Sequence, residues 1–111
     1  MQKTILVVED EDEIGSFMNA MLSRKGYRVL RAVDADGAIN LAEQDQPNMI
    51  LTDLDLPTLD SMIERIRAHE TLKHMLVAVM DINHPTEVKD GLKILNNFDD
   101  LDELLGSAPG S

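Results

Sequence analysis

Short aliphatic runs alternate along this chain with segments whose apolar residues return every three or four positions. Ile5-Leu6-Val7-Val8 is continuous and β-branched, as a strand covered on both faces requires. Beyond the acidic stretch Glu9 to Glu13, Ile14, Phe17, Met18, Met21 and Leu22 mark one face of a helix, and Gly26 stops it. Tyr27 to Val33 reads as a second strand. Asp34 is placed to cap a helix carrying Ala38, Ile39, Leu41 and Ala42, which ends before Pro47. Met49 to Thr52 is a buried-type strand that stops at Asp53. Asp60 is the expected cap of a helix from Met62 to Ala68. Leu76 to Met80 predicts a fourth strand and Leu92 to Leu95 a fifth. Between them, Asn83 to Asp90 leaves room for a short helix with Pro85 in its first turn. Leu101, Leu104 and Leu105 predict one or two turns of a final helix, before a Gly/Ser/Pro tail.

Strand and helix thus alternate about five times, which predicts a parallel sheet with helices on both faces. Residues 3–105 are expected to form one domain and residues 106–111 a flexible tail.

Composition narrows the partners. The chain has 111 residues, is 43% hydrophobic and carries a net charge of −11, with 3% aromatic residues. Its core must be built from aliphatic residues and methionine. Met18, Met21 and Met62 are expected on apolar helix faces as packing residues. The negative charge disfavours nucleic acid and anionic membranes, and suits a divalent cation or a basic protein patch. With no cysteine there is no disulfide or thiol chemistry. No stretch reads as a signal peptide or a membrane span, so the expected compartment is the cytoplasm.

The acidic residues carry the candidate chemistry. In open parallel sheets, ligands sit beyond the carboxyl ends of the strands. Should the first and third strands be neighbours, Glu9, Asp10 and Asp53 converge there. Three carboxylates so close repel one another unless a cation intervenes, and Mg²⁺ answers that need with few protein ligands and several waters. Asp53 is then the best-placed nucleophile, since a carboxylate can attack phosphorus once a metal neutralises the phosphoryl oxygens. Asp10 would bind the metal directly and Glu9 through water, Asp53 is also among the metal residues, and the backbone carbonyl of Asp55 would add an oxygen. Glu11, Asp12 and Glu13 are read more simply, as acids at a helix N-terminus.

Ile5-Leu-Val-Val-Glu-Asp-Glu11 followed by Ile50-Leu-Thr-Asp-Leu-Asp-Leu-Pro57 resembles the receiver domain of bacterial two-component response regulators. The resemblance spans Lys3 to about Leu105 and is stronger in the first two-thirds. It implies a doubly wound, flavodoxin-like sheet of five strands in the order 2-1-3-4-5. It also implies that Asp53 is the phosphoacceptor and that Glu9 and Asp10 hold Mg²⁺. The implied donor is a phosphohistidine on a sensor histidine kinase or phosphotransfer protein, or a small acyl phosphate, and an unknown downstream protein would read the change. No enzymatic activity of the domain's own is implied.

The later part departs from the family. The Thr or Ser that usually ends strand four falls on Met80, and the small residue after it on Asp81. The Lys that usually ends strand five falls on Asn97, or on Asn96 if Phe98 is matched instead. Lys93 lies too early in its strand to replace it. Losing one aimed donor costs roughly 10²–10³ in rate, so phosphorylation is expected to be slow. The connection from Met80 to Asn97 is short, which predicts curtailed fourth and fifth helices and an altered output face. Ser61 stands where Gly often follows the Asp, a mild change.

Three functions follow. The first is a phosphoacceptor signalling domain, and the second a receiver-like adaptor that acts by protein contact without phosphorylation. An unrelated flavodoxin-like enzyme or flavin carrier is the third. The acidic pocket opposes it, because anionic cofactors need donors and helix N-termini, and no phosphate-binding glycine pattern is present. His69, His74 and His84 lack ligand spacing and are expected at the surface. Asp99, Asp100, Asp102 and Glu103 read as a solvated helix start.

Overall fold

The computed structural model describes residues 2–52, 56–80, 92–95, 101 and 105. Within them the chain runs β1 (Thr4–Val8), α1 (Asp12–Arg24), β2 (Arg28–Ala32), α2 (Ala35–Asp45), β3 (Met49–Thr52), α3 (Leu56–Ala68), β4 (Val77–Met80) and β5 (Leu92–Leu95). The strands form one five-stranded sheet in the order β2-β1-β3-β4-β5. Every pairing is parallel. This is the doubly wound, flavodoxin-like arrangement expected from the sequence.

Strand side chains alternate between the two faces, so each run feeds two cores. Leu6, Val8, Ile50 and Val77 pack with Ala38, Ile39 and Ala42 of α2 and with Leu59, Met62 and Ile66 of α3. On the opposite face Ile5, Val7, Met49, Leu51, Ala78 and Met80 pack with Met18 and Leu22 of α1 and with Leu101. Burial on both faces explains why β1 and β3 are written as unbroken apolar runs.

Helix ends follow the chemistry of their residues. Gly26 has φ 97 and lets α1 turn back, with Tyr27 N–H donating to Leu22 O at 3.2 Å and Gly26 N–H to Ser23 O at 3.0 Å. That pairing is the Schellman arrangement, and Leu22 and Tyr27 are buried in the same cluster beside it. At α2, Asp34 Oδ1 accepts from Gly37 N–H at 2.8 Å, the cap anticipated from the sequence. Its last residues give way at Gln46, which has φ 45, just before Pro47.

Three expectations are corrected. Helix α3 starts at Leu56, so Asp60 lies inside it and is not its cap. Pro57 is tolerated because N–H groups of a first helical turn need no intrahelical acceptor. Phe17, expected on the packed face of α1, is 56% exposed, whereas Gly15 is buried together with Met18 and Leu22. His69 is half-buried, and its Nε2 lies 2.9 Å from Glu43 Oε1, tying the end of α3 to α2. Arg65 Nη1 and Asp36 Oδ1, at 2.6 Å, join the same two helices. The expected short helix around Pro85 and most of the final helix fall outside the described residues. Leu101 is helical and buried, with Leu105 N–H donating to its carbonyl at 3.0 Å. Among the described residues no helix is long and apolar enough to cross a membrane.

Candidate functional site

The carboxyl ends of β1, β3 and β4 lie side by side, because Val8 pairs with Thr52 and Thr52 with Val79. β1 and β3 are therefore neighbours, which is the condition for the acidic residues at their ends to meet. Glu9 and Asp10 follow directly on β1, and Asp53 is the residue after Thr52 in the chain. Asp53 and Asp55 lie outside the described residues, as do Asp81, Asn96 and Asn97.

Glu9 is held closely. It is 3% exposed, and its N–H donates to Ala32 O at 3.0 Å, extending the β1–β2 ladder by one step. Its Oε1 accepts from Glu11 N–H at 3.1 Å, which folds the acid back over the turn leading into α1. Asp10, next along, is exposed. One carboxylate is thus fixed in the turn while its neighbour faces out. Asp12 and Glu13 occupy the first turn of α1, in keeping with their reading as helix N-terminal acids.

These donors fit a hard divalent ion, which takes carboxylate and carbonyl oxygens. Among the described residues no three acidic or histidine side chains cluster. The set expected from the sequence draws its third carboxylate from Asp53, outside them.

Met80 ends β4, is 7% exposed and packs in the α1-side core with Leu51, Ala78 and Leu101. No hydroxyl is offered at that position; a thioether fills core volume instead.

Sequence reasoning missed one neighbour of the acidic turn. Arg31 of β2 reaches under the start of α1, with Nη2 3.9 Å from Asp12 Oδ1. The signal that could have revealed it is Gly15, a glycine inside a helical pattern, where it costs about 1 kcal/mol relative to alanine. A Cβ there would come within 2.6 Å of Arg31 Cζ and 2.9 Å of its Nε.

The strand order and the acidic turn define a flavodoxin-like α/β domain with its candidate site at the carboxyl edge of the sheet. A model of the response regulator receiver domain matches residues 5–84, and the chain belongs to that family. It is similar to the alkaline phosphatase synthesis transcriptional regulatory protein PhoP of Bacillus subtilis (strain 168), at 42% identity over 62 residues. That alignment covers 56% of this chain and 26% of PhoP. Transcriptional regulatory protein AfsQ1 of Streptomyces coelicolor is 29% identical over 92 residues, covering 81% of this chain and 40% of AfsQ1. The chain therefore spans well under half the length of these curated relatives.

Among solved structures, it resembles the receiver domain of a sensor histidine kinase from Pseudomonas aeruginosa PAO1, with TM-score 0.76 and 25% identity over 95% of each chain. That domain was solved with a magnesium ion coordinated in its active site cleft. Chemotaxis response regulator CheY4 of Vibrio cholerae shares the fold, with TM-score 0.70 and 19% identity over 96% of this chain and 82% of CheY4.

Proposed function

We propose that this receiver domain accepts a phosphoryl group on Asp53 from a histidine kinase or phosphotransfer protein, with Mg²⁺ held by Glu9 and Asp10. The observation that carries the reading is the acidic turn at the end of β1, beside the strand whose next residue is Asp53. Asp10 faces out as a direct ligand, Glu9 is set to act through water, and the Asp55 carbonyl completes the protein oxygens. The metal, when bound, neutralises phosphoryl oxygens. A carboxylate oxygen of Asp53 forms the bond to phosphorus as the donor's P–N bond breaks, leaving a neutral imidazole on the donor after proton uptake. The domain is then a signal acceptor read by a downstream protein, and not an enzyme acting on a free substrate.

A second reading is favoured by Met80, apolar and buried where a hydroxyl would serve the phosphoryl group. On that reading the domain is an adaptor that works by protein contact alone.

The deciding experiment incubates the protein with Mg²⁺ and acetyl phosphate or beryllofluoride, followed by intact mass and NMR. A metal-dependent adduct that disappears in Asp53→Asn supports the phosphoacceptor. No adduct on a folded protein refutes it and leaves the adaptor.

A further inference from the structure

The first turn of α1 follows the acidic pair directly, so whatever seats that turn also sets where Glu9 and Asp10 stand. Two links are backbone bonds: Glu9 N–H to Ala32 O, and Gly15 N–H to Glu11 O at 2.9 Å. The third link is Arg31. It immediately precedes Ala32, and its side chain is 29% exposed. The guanidinium occupies the notch left by the missing side chain of Gly15, a buried position on α1. Its contact with Asp12 is long, at 3.9 Å, and the Asp12 side chain is 93% exposed. Such a pair is weak in water. Arg31 Nε is buried without a hydrogen-bond partner among the described residues. Close packing against the Gly15 backbone therefore does most of the holding, with the charge on Asp12 adding direction.

We propose that Arg31 is a positioning residue for the metal-binding turn. Laid across Gly15 and paired with Asp12, it clamps the start of α1 to the end of β2 and so fixes the Glu9–Asp10 carboxylates for a divalent cation. Gly15 is the matching half of the clamp, since any side chain there expels the guanidinium. The inference rests on the Mg²⁺ reading above, but its mechanical part does not require metal.

Electrostatics gives the test a sign. A positive charge beside an acidic site weakens cation binding, so removing it should tighten Mg²⁺ if Arg31 acts by charge alone. Positioning predicts the opposite. The full chain and its Arg31→Met, Arg31→Lys, Gly15→Ala and Gly15→Ala/Arg31→Met variants would be titrated with MgCl₂ at fixed ionic strength and followed by NMR. Amide exchange would be measured without metal. Arg31→Met is expected to weaken Mg²⁺ about tenfold, the low end for groups that orient metal ligands. It should also speed exchange of the Gly15 amide about tenfold, while the amides of Leu22 to Arg24 hold their rate. Arg31→Lys should recover part of both, because its stem can lie over Gly15. Gly15→Ala, which displaces the same guanidinium, should weaken Mg²⁺ about as much as Arg31→Met, and combining the two should weaken it little further.

Unchanged or tighter Mg²⁺ binding in folded Arg31→Met would overturn the proposal. Should the wild-type chain show no Mg²⁺ response, the metal reading fails by itself. The clamp is then judged on exchange: loosening confined to Glu11–Gly15 supports it, and uniform or absent loosening rejects it. If Arg31→Met does not fold, Arg31→Lys decides by the same signs.

Discussion

The backbone N–H of Glu9 lies 3.0 Å from the carbonyl oxygen of Ala32, one step beyond the last paired residues of β1 and β2, Val8 and Ala32. This bond makes the first acid of the candidate site an extension of the sheet and not part of a free loop. The residue is 3% exposed, even though it carries a carboxylate. The Glu9 amide is expected to exchange at the rate of the strand amides of Leu6 to Val8, and far more slowly than the Asp10 amide. Hydrogen-exchange NMR on the metal-free protein checks this. Equal rates at Glu9 and Asp10 would mean that the turn opens independently of the sheet.

Metal linkage offers a second test, on stability. A ligand that binds only the folded state adds about 2.7 kcal/mol at a hundred times its dissociation constant. Saturating Mg²⁺ should therefore raise Tm, and Asp10→Asn should abolish most of the rise. Asp53→Asn should raise Tm of the metal-free protein, because it removes one of the converging negative charges. A lower metal-free Tm in Asp53→Asn would contradict the crowding of carboxylates at this edge.

Met80 separates packing from chemistry. Its side chain is part of the α1-side core, so Met80→Thr places a hydroxyl among apolar neighbours. An unsatisfied buried polar group costs about 1–3 kcal/mol, and urea unfolding should show a loss in that range. The same substitution offers a donor near the phosphoacceptor strand. Adduct formation with acetyl phosphate should accelerate, by up to about 10²-fold if the hydroxyl reaches the phosphoryl group. A stability loss with no change in rate would assign Met80 to the core alone.

At the start of α2, Asp34→Ala removes the side-chain acceptor of the Gly37 N–H. The loss of a cap costs about 1 kcal/mol. In a domain of this size that lowers Tm by about 4 °C, readable by calorimetry. Asp34→Asn, which keeps an acceptor oxygen, should lose little.

Helix α1 provides a contrast between neighbouring faces. Phe17→Ser, at a position 56% exposed, should cost about 1–2 kcal/mol, the value of the apolar area that remains covered. Leu22→Ala, fully buried in the same helix, should cost about 2–5 kcal/mol. Reversed magnitudes in denaturant titrations would mean that α1 packs through a different face.

Much of the fold is legible in the order of residues. The runs at Ile5–Val8 and Met49–Thr52 are strands within one residue of their read limits, because runs buried on both faces leave few polar positions to confuse them. Leu92–Leu95 is also a strand at its read limits. Gly26 and Asp34 act as the sequence predicts, since a left-handed turn and a side-chain acceptor are local properties. Glu9 and Asp10 were equally readable as acids at a strand end. Asp60 misled, because a polar residue able to cap a helix can sit equally well within one, and Pro57 had already opened the first turn.

What tertiary structure alone decided is which faces meet. Periodicity marked Phe17 as apolar, but the path of α1 over the sheet turned Gly15, Met18 and Leu22 inward and left Phe17 outside. The adjacency of β1 and β3, implied in the sequence only by family resemblance, became a register of paired residues. Arg31 and Gly15 stand sixteen positions apart in the chain, and no local rule links a strand arginine to a helix glycine. Their contact follows from laying α1 across β1 and β2, where the guanidinium needs a place and only a residue without a Cβ leaves one. Chain-local forces set the elements and put acids at the strand end; packing between distant segments decided how that acidic turn is held.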